Sequence, residues 1–259
     1  MLSASYTPKH NYLLAALPSS DYERLLPALE LLPLPLGFGV HEAGSAQSGV
    51  YFPTDSIVSL IYVMANGVPT EIAMIGNNGL VGISLFMGGE TTPNRAVVRN
   101  AGYAYRLEVS ALKKEIGNSD TFRNLLLLYT QSLMTQIAQN SACTRHHTIE
   151  QRLCRWLLMS FDLLPSDHLT TTHAQIANML GVRRELVTTT AGILQKDKLI
   201  RNNRGHITAL DRLKLEERVC ECYGAIKLET DRLIQQKPSD ASRAQRLLPP
   251  SRKSVILCA

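Results

Sequence analysis

The chain has 259 residues, 45% of them hydrophobic and 19% charged, enough to build a sizeable core and room for two domains of ordinary size. No apolar run approaches the ~20 residues of a bilayer span, and the five cysteines show no paired framework of the secreted kind, so membrane-spanning and disulfide-scaffold classes are excluded and the cytoplasm is the expected location. The net charge of +5 is uneven: residues 1–119 carry 7 Lys/Arg against 9 Asp/Glu, residues 172–212 carry 7 against 3, and the tail 236–259 carries 5 against 1, so only the back half is suited to a polyanion.

Tyr12–Leu17 is apolar but too short and poorly flanked for a signal peptide. From about Leu31 to Val109 the chain alternates short β-branched or aromatic runs (Val50–Phe52, Ser56–Met64, Glu71–Ile75, Ala96–Arg99) with turn chemistry at Asn66-Gly67, Gly76–Gly79 and Gly88-Gly89. That spacing predicts an antiparallel barrel or sandwich. A short helix is expected over Ser110–Ile116, closed by Gly117-Asn118.

A long helix is expected from Asp120 to about Arg145, which contains neither Gly nor Pro. At 1.5 Å per residue it would be about 40 Å long. Phe122, Leu126, Tyr129, Leu133 and Ile137 form one stripe, while Leu125 and Leu128 carry apolar surface onto a second face. Such a helix needs two partners: its own barrel and either a second copy, packed as a coiled coil, or more of its own core. His146-His147 near its end is placed to complement the helix dipole. It has no ligand partner at a recognisable spacing, and Cys220-x-Cys222 lacks the spacer and second pair of a zinc site. The cysteines (Cys143, Cys154, Cys220, Cys222, Cys258) are expected to be reduced structural thiols, with no metal.

Thr148-Ile149-Glu150-Gln151 has the form of a capping box and opens an amphipathic helix through Phe161 that Pro165 ends. Thr172-His173-Ala174-Gln175 is a second capping box, starting a helix with Ile176, Met179 and Leu180 inward. Gly181 supplies a tight turn. A second helix from about Arg183 to Gln195 turns Val187, Ala191 and Leu194 inward and presents Arg184, Glu185, Thr188, Thr189 and Gly192 outward. A slim polar stripe near a helix N-terminus fits the major groove of B-DNA, where Arg can grip guanine O6 and N7 and Glu can accept from cytosine N4. Threonine can bond bases or phosphates, and His173 at the first helix's N-terminus would lie near a phosphate. Leu199–Thr208 then reads as a hairpin wing with Arg201 and Arg204 placed for phosphates.

Small β domain, long helix and winged helix-turn-helix, in that order, resemble the Crp/Fnr family, most sharply at Gln151-Arg152-Leu153 and along Thr172–Leu199, with Arg184-Glu185 followed by Val187. The resemblance implies an α+β fold: an N-terminal antiparallel β-roll of the cyclic-nucleotide-binding type (1–119), a dimerisation helix (120–146) and a winged helix-turn-helix domain (147–235); by its composition 236–259 reads as a disordered basic tail that serves solubility or touches DNA. The resemblance further implies a homodimer on near-palindromic duplex DNA, contacted through Thr172, His173, Arg183, Arg184, Glu185, Thr188, Thr189, Arg201 and Arg204, with RNA polymerase as a further partner. Thr189 stands where the family's cyclic AMP receptor has another contacting Arg. The family's nucleotide pocket is degenerate here: Ile83 replaces the ribose-binding Glu, and Asn94-Arg95 is offset from the phosphate-binding Arg-Ser pair, leaving Asn94 and Arg95 as weak effector candidates. No Cys precedes Cys143, so the iron–sulfur branch's cluster is absent. No nucleophile elbow, paired carboxylates, P-loop or dinucleotide fingerprint occurs, and neither catalysis nor a cofactor is expected. The alternative is a metabolite-binding protein or enzyme with an incidental helical hairpin.

Overall fold

The computed structural model describes residues 6–164, 167–203 and 205–234. Pro165, Arg204, Cys258 and the tail expected at 236–259 lie outside the described residues. Two short helices, α1 (Tyr12–Ala15) and α2 (Ser19–Leu25), precede strands β1 (Leu29–Leu34), β2 (Gly39–His41), β3 (Gly49–Pro53), β4 (Ile57–Val63) and β5 (Pro69–Ile75). Then come α3 (Ile83–Phe86), β6 (Arg95–Asn100), β7 (Gly102–Glu108), α4 (Val109–Asn118), α5 (Asp120–His146) and α6 (Ile149–Asp162). The back part holds β8 (His168–Thr170), α7 (His173–Leu180), α8 (Arg184–Lys196), β9 (Ile200–Asn203), β10 (His206–Ala209), α9 (Arg212–Arg218) and α10 (Glu221–Ile234).

The front strands form two antiparallel sheets, ordered β1-β7-β3 and β2-β6-β4-β5. Val50, Phe52, Val58, Ala96, Val98, Ala104 and Leu107 fill the space between them. Pro33 lies in β1, an edge strand, where its missing N–H breaks no central ladder. β1, β2 and β7 carry no conspicuous alternation and escaped the sequence reading.

Helix α5 starts at Ser119, whose hydroxyl accepts from Phe122 N–H at 2.9 Å. Its stripe of Phe122, Leu126, Tyr129 and Leu133 is buried against the roll, as expected. The Tyr129 hydroxyl donates to the Leu80 carbonyl at 2.8 Å, and its ring lies so near Gly79 that a Cβ there would sit 2.5 Å from it. Of the two partners open to the second face, the chain's own core takes Leu125. Helix α10 runs antiparallel along α5, with Leu233 and Ile234 in the same core as Leu125 and Ser132 Oγ 2.9 Å from Thr230 Oγ1. The same chain thus covers that face, leaving Leu127 and Met134 as the large apolar side chains of α5 open to solvent, 53% and 65% exposed.

A second core joins the roll to the back part: Ile57 and Met74 pack with Leu153, Trp156 and Leu157 of α6. A polar network lies within this seam. The side chains of Arg99 and Glu71 are each 5% exposed, with Arg99 Nε 3.8 Å from Glu71 Oε2. The Arg99 guanidinium stacks on the Trp156 ring 4.3 Å from its centroid and donates to Ser160 Oγ at 3.2 Å, and Trp156 Nε1 donates to Glu71 Oε1 at 3.0 Å.

The described cysteines are free and buried, and three of them come together. Cys154 lies in the second core, but Cys143, Cys220 and Cys222 form a buried cluster of their own. Because α10 folds back along α5, it unites positions 77 apart in sequence, which no local spacing reveals.

Candidate nucleic-acid interface

Both expected capping boxes form. Thr148 receives Gln151 N–H at 3.3 Å, Thr172 receives Gln175 N–H at 3.2 Å, and in each the Gln side chain accepts the Thr backbone N–H. Gly181 ends α7 with φ 63°, a left-handed conformation that strains any residue with a Cβ. The buried Arg152 guanidinium donates to the Leu180 carbonyl, tying the end of α7 to α6.

Helix α8 is fixed from behind. Val187, Ala191 and Leu194 are 0–1% exposed, and Thr190, also buried, returns its hydroxyl to the Leu186 carbonyl at 2.7 Å. Arg183, Arg184, Glu185, Thr188, Thr189 and Gly192 are exposed on the outer side. A Cβ on Gly192 would meet nothing within 4 Å, so the stripe stays slim at its centre. Arg183 is the extended N-cap residue, with no side-chain cap to the helix. Leu186 and Ile193, also on α8, are 48% and 43% exposed, which the inward/outward pattern did not anticipate.

His173, expected near a phosphate, joins a hydrogen-bonded chain. Asn202 Nδ2 lies 2.5 Å from its Nε2, and Thr188 Oγ1 lies 3.0 Å from its Nδ1. The amide can only donate through Nδ2, so Nε2 accepts, Nδ1–H donates to Thr188, and the Thr188 hydroxyl passes on to the Arg184 carbonyl at 3.1 Å. This chain requires a neutral imidazole and locks α7, α8 and the wing together. Asn202 and Gln195, whose Oε1 accepts from Asn202 N–H at 3.1 Å, are members that the sequence reading missed. Burial first, and the Arg184 charge second, hold the His173 pKa below its ordinary value of 6.5.

The folded state therefore binds this proton less readily than the unfolded chain. The stability it contributes is complete above pH ~6.5 and is lost as pH falls through the lower folded value. Between about pH 7.5 and pH 5.5 the melting temperature of the wild type should drop more than that of His173→Gln. Equal slopes would remove His173 from this role.

The wing is a three-stranded sheet ordered β8-β10-β9; β8 was not foreseen. His168 stacks on His206 across it at 5.3 Å, and Arg201 projects into solvent from β9. In the roll, the two effector candidates already have partners. Asn94 Oδ1 is 3.3 Å from His41 Nε2, and its amide donates to Thr92 Oγ1 at 2.7 Å. Arg95 pairs with Glu42 at 3.0 Å. Ile83, at the start of α3, packs on the roll's core, so an apolar wall stands where the ribose carboxylate was sought.

A β-roll, a long helix and a winged helix-turn-helix with the outer face of α8 exposed make up the architecture. Residues 151–218 match the family model of the Crp-like helix-turn-helix domain. FixK2 from Bradyrhizobium japonicum superposes with a TM-score of 0.65 at 15% identity, covering 74% of this chain and 98% of that one. A candidate regulator of the Crp/Fnr family from Eubacterium rectale gives 0.62 at 18% identity, covering 80% and 98%. CLP from Xanthomonas campestris, described as a c-di-GMP responsive global regulator, gives 0.59 at 17%, covering 74% and 99%. The chain thus has the Crp/Fnr fold, and the expected α+β architecture is borne out. No curated protein matches it significantly in sequence.

Proposed function

We propose that the protein is a sequence-specific regulator of transcription that binds duplex DNA as a homodimer. The observation that carries this reading is the outer face of α8, where Arg184, Glu185 and Thr189 stand exposed on a helix immobilised by Val187, Ala191 and Leu194. Laid in the major groove, that face gives Arg184 a guanine edge and Glu185 a cytosine amine. Thr188 serves through the His173–Asn202 chain, which sets its orientation. Thr172, Arg183 and Arg201 line the flanks for phosphates, and Arg204 of the wing shares that role.

The division of labour proposed is a sensing roll over 1–119, a dimerisation helix over 120–146 and a reading domain over 147–235, with the basic tail 236–259 adding non-specific attraction. The stripe on α5 that α10 leaves open, with Leu127 and Met134, is the proposed dimer seam. An effector entering at Asn94 and Arg95 must displace His41, Thr92 and Glu42 as their partners. The seam built on Arg99 and Trp156 would then carry its signal to α6. RNA polymerase is the proposed second macromolecular partner and the cytoplasm the proposed location; among the described residues no helix is long and apolar enough to cross a membrane. No catalytic step is proposed, and no observation favours a metabolite enzyme over this reading.

Footprinting on genomic fragments should protect two half-sites about one helical turn apart. With that site in hand, Arg184→Ala should weaken cognate binding by about 1–3 kcal/mol and relax preference at one base position per half-site. Equal losses on cognate and random duplex would remove Arg184 from base reading.

A further inference from the structure

Where the end of α5 meets the start of α10, one donor atom from each of Cys143, His147, Cys220 and Cys222 lies within 4.8 Å of all the others. Cys143 and His147 are four positions apart, and His147 caps the C-terminal end of α5, its N–H donating to the Cys143 carbonyl at 3.1 Å. Cys220 precedes α10 and Cys222 sits in its first turn. Cys143 Sγ is 3.5 Å from Cys220 Sγ, and Cys222 Sγ is 3.6 Å from His147 Nδ1. A tetrahedral zinc ion, with about 2.3 Å to sulfur and about 2.0–2.1 Å to nitrogen, holds neighbouring sulfurs about 3.8 Å apart and sulfur and nitrogen about 3.6 Å apart. The Cys143–Cys220 and Cys222–His147 separations lie close to those edges, and all four donors fall within 4.8 Å of one another, near enough to close around one ion. A polynuclear iron–sulfur cluster would spread its thiolates over separate metal atoms.

Two further features fit a metal better than plain packing. The thiols are 0–3% exposed yet belong to neither of the two large cores, so they fill no apolar layer. The other ring nitrogen of His147, Nε2, faces Glu221 Oε2 at 3.2 Å, the carboxylate partner that ordinarily orients a metal-bound imidazole.

We propose that Cys143, His147 Nδ1, Cys220 and Cys222 bind one structural Zn²⁺ per protomer, pinning α10 to the end of the long helix at its junction with the DNA-binding domain. Binding exchanges three S–H bonds for three Zn–S bonds and releases three protons; no electrons move. A closed set of four protein donors leaves no position for a reacting water, so the ion is a staple. The proposal does not depend on whether the chain binds DNA.

The test uses the full, untagged chain purified under reducing, chelator-free conditions. Elemental analysis should find about one zinc per protomer. Stripped protein titrated with Co²⁺ should develop tetrahedral d–d bands and thiolate-to-cobalt charge transfer. Cys143→Ser and Cys220→Ser should each lower the zinc content at least ~10-fold, whereas Cys154→Ala, outside the cluster, should keep it. If a serine variant fails to fold, the Co²⁺ titration of the wild type decides. A wild type without stoichiometric zinc or a cobalt spectrum overturns the proposal. So does a Cys143–Cys220 disulfide found by peptide mapping in place of the metal, or zinc that survives both serine substitutions.

Discussion

Glu71→Ala is expected to destabilise the folded chain by about 3–5 kcal/mol, because it strands the Arg99 charge in the seam between the roll and α6. Burial pulls the Arg99 pKa down, and the Glu71 carboxylate is the charge that opposes that pull. Arg99 Nε and Nη1 are buried with no hydrogen-bond partner among the described residues, so the guanidinium relies on that carboxylate, on Ser160 and on the Trp156 face. Loss of Glu71 also leaves Trp156 Nε1 and Ser59 Oγ without their acceptor. Trp156 is the only tryptophan, so its fluorescence reports directly on the seam during chemical denaturation. Two companions sharpen the experiment. Glu71→Gln keeps an acceptor for Trp156 and should lose less. Glu71→Met combined with Arg99→Met removes both charges together and should recover most of the stability, since a well-packed apolar pair often equals or exceeds a buried ion pair. A double variant as unstable as Glu71→Ala would show that the stranded charge does not govern this seam, leaving packing volume and the orphaned Trp156 Nε1 and Ser59 Oγ as the cause.

The second large effect is expected at the back of α8. Leu194 is fully buried in the core shared by α6, α7 and the wing, and truncating it to Ala removes three carbons from a site with little freedom to collapse. A loss of about 2–5 kcal/mol follows from lost apolar transfer plus the remaining cavity. The front roll has its own core around Phe52, Val98, Leu107 and Phe122, so the damage should concentrate in the reading domain. Amide hydrogen exchange should rise first in α7, α8 and the wing and only later in β3, β4 and β7. DNA affinity should fall at temperatures where that domain opens, with base preference unchanged in the molecules that remain folded. Altered preference would mean that Leu194 sets the pitch of α8 in the groove as well as its stability. Uniform exchange across both cores would mean that the two parts unfold as one.

Much of the reading domain is legible along the chain because its signals are local. A capping box spans four residues, a turn glycine needs one, and the inward triad of Val187, Ala191 and Leu194 repeats at helical spacing, so Thr172–Gln195 announces two helices and the face they leave bare. The wing's two main strands and the long helix are read the same way. What escaped depends on residues distant in sequence. Strands β1, β2 and β7 owe their state to pairing across the sheets, and β8 to pairing with β10. The His173–Asn202 link spans 29 positions and the Arg99–Ser160 contact spans 61, so neither leaves a pattern in any window.

The cysteines and α5 mark the same limit. By itself the sequence determined that α5 is a helix apolar on two faces, and that five thiols and a His pair exist at given positions. Only the tertiary structure decided that α10 folds back to cover one of those faces, and that this return brings Cys220 and Cys222 to Cys143 and His147. Helical periodicity follows from the geometry of neighbouring residues, whereas the choice of what packs on an apolar face rests on a non-directional hydrophobic attraction that shape and chain connectivity must settle.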